Sequence, residues 1–315
     1  MYQNKLVAIV IPSYNEAKNI ASVISGIPTF VDHIVVVDDA SKDNTAEVVR
    51  NLSNDNKRLV LLQNSKNLGC GGALATGYKW AIENNIDIAV RMDGDGQMDA
   101  NDIERLVVPI AMGEVDYTKA NRLFSGEAYE KIPKVRFYGN AILSLLTKIA
   151  SGYWHIADSQ SGFSAIGKQA LQTVNWDKMY KRYGNPNDVL ILLNIFNFRV
   201  RDVITQPIYN VGEKSTMRVR KVVFTISWLL IKRFFYRLRE KYIIRDFHPL
   251  VFFYFFGFLL QLLSIPLFIR YIYYWIEYDH IPKVNFLAWM FAVIMGVQFI
   301  LFAMWFDMDS NKHLR

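Results

Sequence analysis

Short apolar runs recur through the first hundred residues, each closed by polar or turn-forming positions. Leu6–Ile11 (LVAIVI) shows no alternation and is stopped by Pro12, the pattern of a strand buried on both faces. Asn15–Ile27 follows with helical spacing. Ile34–Val37 is a second buried strand ending at Asp38-Asp39; Ser41 then caps a helix through Val48, and Leu59–Leu62 is a third strand. Cys70–Glu83 reads as a helix behind a glycine-rich turn, and Ile86–Met92 as a fourth strand ending on Asp93. Strands alternating with helices predict an α/β domain whose parallel sheet is covered on both faces. Such sheets bind ligands at the carboxyl ends of their strands. Asn15, Asp39, Asp93 and Asp95 all follow directly on predicted strand ends.

The pattern changes in the last third. Pro249–Ile269 and Val284–Phe306 each run for roughly 20 residues without a charge, enough to cross a hydrocarbon core of ~30 Å. Neither shows a polar face, and Tyr271, Tyr273, Tyr274 and Trp275 cluster beyond the first, as aromatic residues do at a membrane interface. Between Phe224 and Tyr242, Trp228, Leu229, Leu230, Phe234 and Phe235 alternate with Lys and Arg, which predicts an amphipathic helix lying in that interface. The expected organisation is a catalytic domain over 1–213, basic amphipathic helices over 214–248, two spans within 249–306 and a tail over 307–315.

Charge sharpens this picture. The 315 residues carry a formal net charge of +7, and ten Lys or Arg fall between Lys214 and Arg245 against the single acid Glu240. A basic stretch directly before an uncharged apolar run fits a membrane surface better than nucleic acid. Two spans return the chain to its starting side. The Lys/Arg load before the first, with Lys312 and Arg315 after the second, makes that side cytoplasmic. Met1–Lys5 is polar and Leu6–Ile11 is too short for a secretory core, so the expectation is an integral membrane protein with its first domain in the cytoplasm. The one cysteine, Cys70, excludes an intramolecular disulfide.

Candidate chemistry centres on Arg91-Met92-Asp93-Gly94-Asp95-Gly96-Gln97. Two carboxylates at i and i+2 after a buried strand can grip one hard cation, Mg²⁺ or Mn²⁺, and Gln97 adds a neutral oxygen. The competing reading is a solvated acidic turn, and the position at a strand end favours the metal. Asp38-Asp39 can accept from a base or a ribose hydroxyl, or serve the helix start around Ser41–Asn44; both can hold together. Tyr14 can wall a base, with Glu16 holding polar atoms. The stretch Asn67–Gly72 fails the dinucleotide pattern because position 74 is Leu74, and no phosphate-loop lysine follows. Its glycines serve close packing or backbone approach to a ligand.

Together these motifs resemble the family 2 glycosyltransferases, and within them the polyprenyl-phosphate sugar synthases. The matching segments are IPSYNE (Ile11–Glu16), VVDDASKDNT (Val36–Thr45), NLGCGGALATG (Asn67–Gly77), MDGDGQ (Met92–Gln97), ANRL (Ala120–Leu123), DSQSGF (Asp158–Phe163) and GEKS (Gly212–Ser215). The resemblance implies a GT-A fold with Pro12, Tyr14, Glu16, Asp39 and Asp93 around a nucleotide-sugar, and Asp93, Asp95 and Gln97 on the metal. It implies Arg122 and Arg136 near the phosphate of a polyprenyl or dolichyl acceptor, and Asp158, Ser161 and Asp188 lining that acceptor. Lys214 and Arg218 would close over the diphosphate, and Asp95 and Arg122 would carry the catalysis. Asp188 lies where members with hydroxyl acceptors place a base, but it sits here in Asn187-Asp188, so a structural or acceptor-site role stands beside the base role. The resemblance also admits a homo-oligomer packed through its spans.

A lipid monophosphate is already ionised at neutral pH, so its displacement of the diphosphate needs no general base and inverts the sugar. The rival readings are a processive or hydroxyl-acceptor family 2 enzyme, an inactive membrane scaffold and a nucleic-acid binder. The first lacks its Gln-x-x-Arg-Trp motif and extra spans. The second is opposed by the intact Asp93, Asp95 and Gln97, and the third rests on net charge alone.

Overall fold

The structure is a computed structural model that describes residues 1–122, 134–205, 219–279 and 282–315, of which 134–138, 140 and 219–222 by backbone only. It divides into two compact units, Met1–Phe235 with His313–Arg315, and Tyr236–Lys312.

In the first unit the order is β1 (Val7–Ser13), α1 (Ile20–Ser25), β2 (His33–Asp38), α2 (Thr45–Asp55), β3 (Leu59–Gln63), α3 (Cys70–Glu83), β4 (Ile88–Arg91), α4 (Ile103–Ala111) and β5 (Tyr117–Asn121). It continues with α5 (Lys134–Ser151), β6 (Ser164–Gly167), α6 (Lys168–Thr173), α7 (Asn185–Ile195), β7 (Val200–Ile204) and α8 (Val219–Arg239), whose last turn passes into the second unit. The seven strands form one sheet in the order β3-β2-β1-β4-β6-β5-β7.

Every residue of β1 is buried, as its unbroken apolar run predicts. Val7, Ile9 and Ile11 face a core shared with Ile20, Val23 and Ile24 of α1 and Ile103, Leu106 and Val107 of α4. On the opposite face α3 closes on β1 at Gly77, where a Cβ would lie 2.2 Å from Val10 Cγ1. β1 runs through Pro12 rather than stopping there. Val10 gives its carbonyl to Met92 on the β4 side. Pro12 shares that parity, so its donor-less nitrogen faces a side where β4 has already ended.

Two helix starts differ from the sequence pattern for one reason. Asn15 has φ +59°, its N–H goes to Ser41 Oγ, and the N–H groups of Glu16 and Ala17 go to Thr45 Oγ1 and Asp43 Oδ2. These residues tie the turn after β1 to the turn after β2 instead of opening α1. Ser41 thereby receives Asn15 rather than capping α2, which begins at Thr45.

The sheet is mixed, not wholly parallel. β6 runs antiparallel to both β4 and β5, with Arg91 and Lys119 each opposite Ser164. The start of an antiparallel strand lies beside the ends of its parallel neighbours, so the loop 158–163 is delivered to the carboxyl ends of β4 and β5.

The second unit holds a π-helical turn (Glu240–Arg245), α9 (Leu250–Tyr278) and α10 (Lys283–Ser310). Both long helices have the length and composition to cross a membrane, and only 22% and 17% of their most apolar windows are buried within the chain. They touch backbone to backbone at Gly257 and Gly296, where a Cβ on either would lie 3.2 Å from the other's carbonyl oxygen. Near their polar end, Arg237 meets both oxygens of Asp307 at 2.9 and 2.8 Å, Tyr242 donates to Asp307 at 2.5 Å, and Lys241 and Tyr242 are joined through Asn311. Arg237 and Asp307 are wholly buried, so the pair is stable only because it is complete.

Candidate active site

Three turns converge at the carboxyl edge of the sheet. The first follows β4. Gly94 packs on the end of β1, where a Cβ would come 2.9 Å from Ser13 Oγ, and Gly96 takes φ +77°. The turn presents Asp93 and Asp95 two residues apart. Asp95 Oδ1 accepts the N–H of Gln97 at 3.0 Å, and Asp93 Oδ1 accepts from Arg91 Nε at 3.2 Å and Nη2 at 3.1 Å. Arg91 also donates through Nη1 to Asn185 Oδ1 at 2.5 Å and through Nη2 to Cys70 Sγ at 3.2 Å. Burial is the largest single influence and works against its charge, but Asp93 and the smaller contributions of its other neighbours together more than offset it, and the guanidinium stays protonated. Burial pushes the neighbouring Cys70 thiol up to about 11, so it is no thiolate at neutral pH.

The second turn is the loop before β6. Asp158, almost wholly buried, accepts from Arg122 Nε at 2.7 Å and Nη2 at 3.2 Å. Burial opposes its charge, yet Arg122 and then Lys119 outweigh it and hold the carboxyl below the ordinary range. Lys119 lies beneath, fully buried, and donates to the Ser161 carbonyl. Gly162 closes this loop onto the first turn: a Cβ there would lie 2.9 Å from Asp93 Oδ2 and 2.8 Å from Arg91 Nη2.

The third turn follows β2. Asp39 accepts from Leu68 N at 2.9 Å, Gly69 N at 2.7 Å and Asn64 Nδ2 at 2.8 Å. Its carboxylate therefore shapes the 64–69 loop. The glycines beyond that loop serve packing. A Cβ on Gly71 would meet the Tyr180 carbonyl at 2.2 Å, and one on Gly69 the Lys181 carbonyl at 2.5 Å.

The donor set suits a hard divalent cation in part. Among the described residues no three His, Cys, Asp or Glu side chains converge to hold a metal, so Asp93, Asp95 and Gln97 would complete an oxygen shell only with ligand oxygens and water. That is the arrangement expected where a cation bridges protein to a diphosphate.

Residues 8–174 match the model of the glycosyl transferase family 2. The chain belongs to that family. This glycosyltransferase is 32% identical over 248 residues to the UDP-N-acetylglucosamine–dolichyl-phosphate N-acetylglucosaminyltransferase of Methanococcus voltae, a match covering 75% of this chain and 95% of the relative. It is 27% identical to the undecaprenyl-phosphate mannosyltransferase of Micrococcus luteus, over 56% of this chain and 73% of that one. In fold it is similar to glucosyl-3-phosphoglycerate synthase of Mycobacterium tuberculosis, solved with Mn²⁺, UDP and glucosyl-3-phosphoglycerate (TM-score 0.54, 18% identity, 74% of this chain and 80% of the other). The GT-A expectation is met in this mixed α/β sheet.

Of the residues marked in the sequence of this glycosyltransferase, Asp93 lies in one turn and Asp158 and Ser161 in a second that touches it, with Arg122 at the end of β5 bound to Asp158. Pro12 is buried at the end of β1, Tyr14 is 40% exposed just beyond, and Glu16 is anchored through its N–H beside the turn of Asp39. Asp188 lies apart. It is fully buried in the first turn of α7, 2.6 Å from Arg233 Nε, and accepts from Arg233 Nη2 at 2.8 Å and Tyr180 N at 2.7 Å. Arg136 lies on α5 with no described side chain, and Lys214 and Arg218 lie outside the described residues.

Arg91, Lys119, Asn185 and Arg233 were not singled out from the sequence. The signal for the first two is a cation inside a fully buried strand, IAVR and YTKAN, which demands a partner. Asn185 and Arg233 give no such signal, because their partners are distant in sequence.

Proposed function

We propose that this enzyme transfers a sugar from a nucleotide-sugar to the phosphate of a polyprenyl or dolichyl lipid at a membrane surface. The observation that carries the reading is the state of Asp188. At the position where a base would serve a hydroxyl acceptor, the carboxylate is sealed in an ion pair with Arg233. An acceptor that needs no base is a phosphate, already ionised near neutral pH. The acceptors named for the Methanococcus and Micrococcus relatives are of that kind.

The chemistry follows from charge. A phosphate oxygen attacks the anomeric carbon, a new C–O bond forms, and the bond to the nucleoside diphosphate breaks with inversion. No proton has to move. Asp93, Asp95 and Gln97 would hold a divalent cation, whose contribution is to neutralise charge on the leaving diphosphate. Arg122, aimed by Asp158, draws the acceptor phosphate toward the turn of Asp93 and offsets repulsion between the two anions.

The membrane reading supports the same acceptor. A polyprenyl chain leaves a bilayer only at about 0.8 kcal/mol per CH₂, so the site must come to it. Two helices long enough to span, with largely uncovered apolar windows, meet that requirement. So does α8, where Phe224, Trp228, Ile231 and Phe235 are exposed at helical spacing while Ile226, Leu230 and Phe234 are buried. The concentration of Lys and Arg before the first apolar helix supports a catalytic unit on the cytoplasmic face.

A direct test offers the purified enzyme equal amounts of a short polyprenyl phosphate and the corresponding polyprenol with labelled nucleotide-sugar. Label on the phosphate alone is expected; label on the alcohol would overturn the base-free reading.

A further inference from the structure

Arg91 is the one guanidinium inside β4, only 4% exposed, in a strand whose other members are Ile88, Ala89 and Val90. Burying that charge is costly unless each donor direction is used. Here they are used on three separate elements: Nε and Nη2 on Asp93, Nη1 on Asn185 at the start of α7, and Nη2 on Cys70 at the start of α3.

The distribution over Asp93 is uneven in an informative way. Both contacts from Arg91 go to Oδ1. Oδ2 is left on the other side, over Gly162, in a carboxylate whose side chain is still 29% exposed. A carboxylate on a surface turn ordinarily rotates; this one is held through one oxygen, and the other takes neither of the two Arg91 bonds. Asn185 holds the far end of the guanidinium, so the fork cannot follow Asp93 if the turn shifts. Gly162 is required by the same arrangement, since any Cβ would strike both Arg91 Nη2 and Asp93 Oδ2.

We propose that Arg91 is a positioning residue for the reaction: braced by Asn185, it fixes the rotation of Asp93 so that Oδ2 is ready for the divalent cation that binds with the nucleotide. The inference rests on the metal reading of Asp93 and Asp95 given above. Two effects of Arg91 oppose each other. Its charge repels a cation, while its hydrogen bonds pre-orient the ligand. Removing a group that orients a metal ligand weakens binding on the order of 10–100-fold, and orientation is the larger effect here because Asp93 already neutralises much of the charge.

The test is a Mn²⁺ titration of the full-length chain in detergent with UDP present, read from the electron paramagnetic resonance signal of the free ion. Metal-free UDP binding is measured beside it by calorimetry. Arg91→Met is expected to weaken Mn²⁺ binding on the order of 10–100-fold and metal-free UDP binding far less, a split that a general loss of structure would not give. Arg91→Lys keeps the charge without the fork and is expected to fall between. Asn185→Ala removes only the brace and is expected to weaken Mn²⁺ in the same direction; it decides the matter if Arg91→Met does not fold. Mn²⁺ binding in Arg91→Met or in Asn185→Ala as tight as in the parent would overturn the role. If the parent itself binds no Mn²⁺ with UDP, nor with GDP in the same titration, the metal reading fails and the inference with it, an outcome distinct from variants that match a binding parent.

Discussion

Arg122 closes on both carboxylate oxygens of Asp158, 2.7 Å from Nε to Oδ2 and 3.2 Å from Nη2 to Oδ1. The cation proposed to meet the acceptor phosphate is thus aimed by a buried anion 36 residues further on, beyond α5. Arg122→Ala is expected to lower kcat/KM on the order of 10²-fold, the scale for losing one charge-stabilising donor. Asp158→Asn leaves the guanidinium present but unaimed, and the expected loss is smaller and falls mainly on the KM for the lipid. Steady-state kinetics with the acceptor varied check both, and equal losses in kcat would contradict the division of roles.

Asp188 gives a sharper contrast. A general base lost to Asp188→Asn would cost about 10²–10⁴-fold in rate. The buried pair with Arg233 predicts instead that turnover per folded molecule changes little while thermal stability drops, because Arg233 loses its partner. The double variant Asp188→Leu with Arg233→Met is expected to recover much of that stability. Rate and melting temperature measured on the same preparations separate the two accounts.

Lys119 and Asp202 face each other across β5 and β7 and carry opposite displacements. Burial pushes the Lys119 ammonium down to about 7 from an ordinary 10.5, and burial pushes the Asp202 carboxyl up to about 6 from 3.8. Between pH 3.8 and about 6 the folded chain keeps a proton on Asp202 that the unfolded chain has lost, so stability falls as pH rises. Between about 7 and 10.5 the unfolded chain holds a proton that folded Lys119 lacks, so stability rises with pH. Their joint contribution is smallest between about pH 6 and 7. Melting temperatures across pH 4 to 9 should show a rising limb above about pH 7 that Lys119→Met removes; a limb that persists in the variant would contradict the assignment.

In the second unit, Arg237→Ala strands a buried Asp307 and is expected to destabilise by about 3–5 kcal/mol. Replacing both, Arg237→Met with Asp307→Leu, is expected to be near neutral or better. Thermal unfolding in detergent reads the comparison, and an unshifted single variant would show the pair to be dispensable.

Much of this fold is legible in the residues because burial on two faces writes an unmistakable pattern, as in LVAIVI and IVVV. The glycine-rich helix start at Cys70 and the two long apolar helices are equally plain. What escapes is chemistry that depends on return paths through space. Nothing near Ser164 announces that β6 runs backward, because strand direction leaves no mark on a four-residue apolar run. The short α1 escapes for a related reason: Asn15, Glu16 and Ala17 have helical spacing, but their N–H groups are claimed by Ser41, Thr45 and Asp43 some 26 to 29 positions away. A still longer separation, 45 positions, hides the partner of Asp188, whose carboxylate reads as a candidate base until Arg233 is placed against it. Arg91 stood in view inside MDGDGQ's own strand, and the cost of burying an arginine is the argument that could have found it.

The central claim is transfer to a lipid phosphate, and one reaction mixture addresses it most directly. Detergent-purified full-length enzyme is incubated with Mn²⁺ or Mg²⁺, a short polyprenyl phosphate and a panel of UDP- and GDP-sugars, and the lipid fraction is read by mass spectrometry beside an Asp95→Ala control. A glycosyl-phosphoryl lipid formed from one donor and absent in the control is the predicted result. Nucleotide binding without lipid-linked product from any donor would contradict the account and turn attention to a different acceptor.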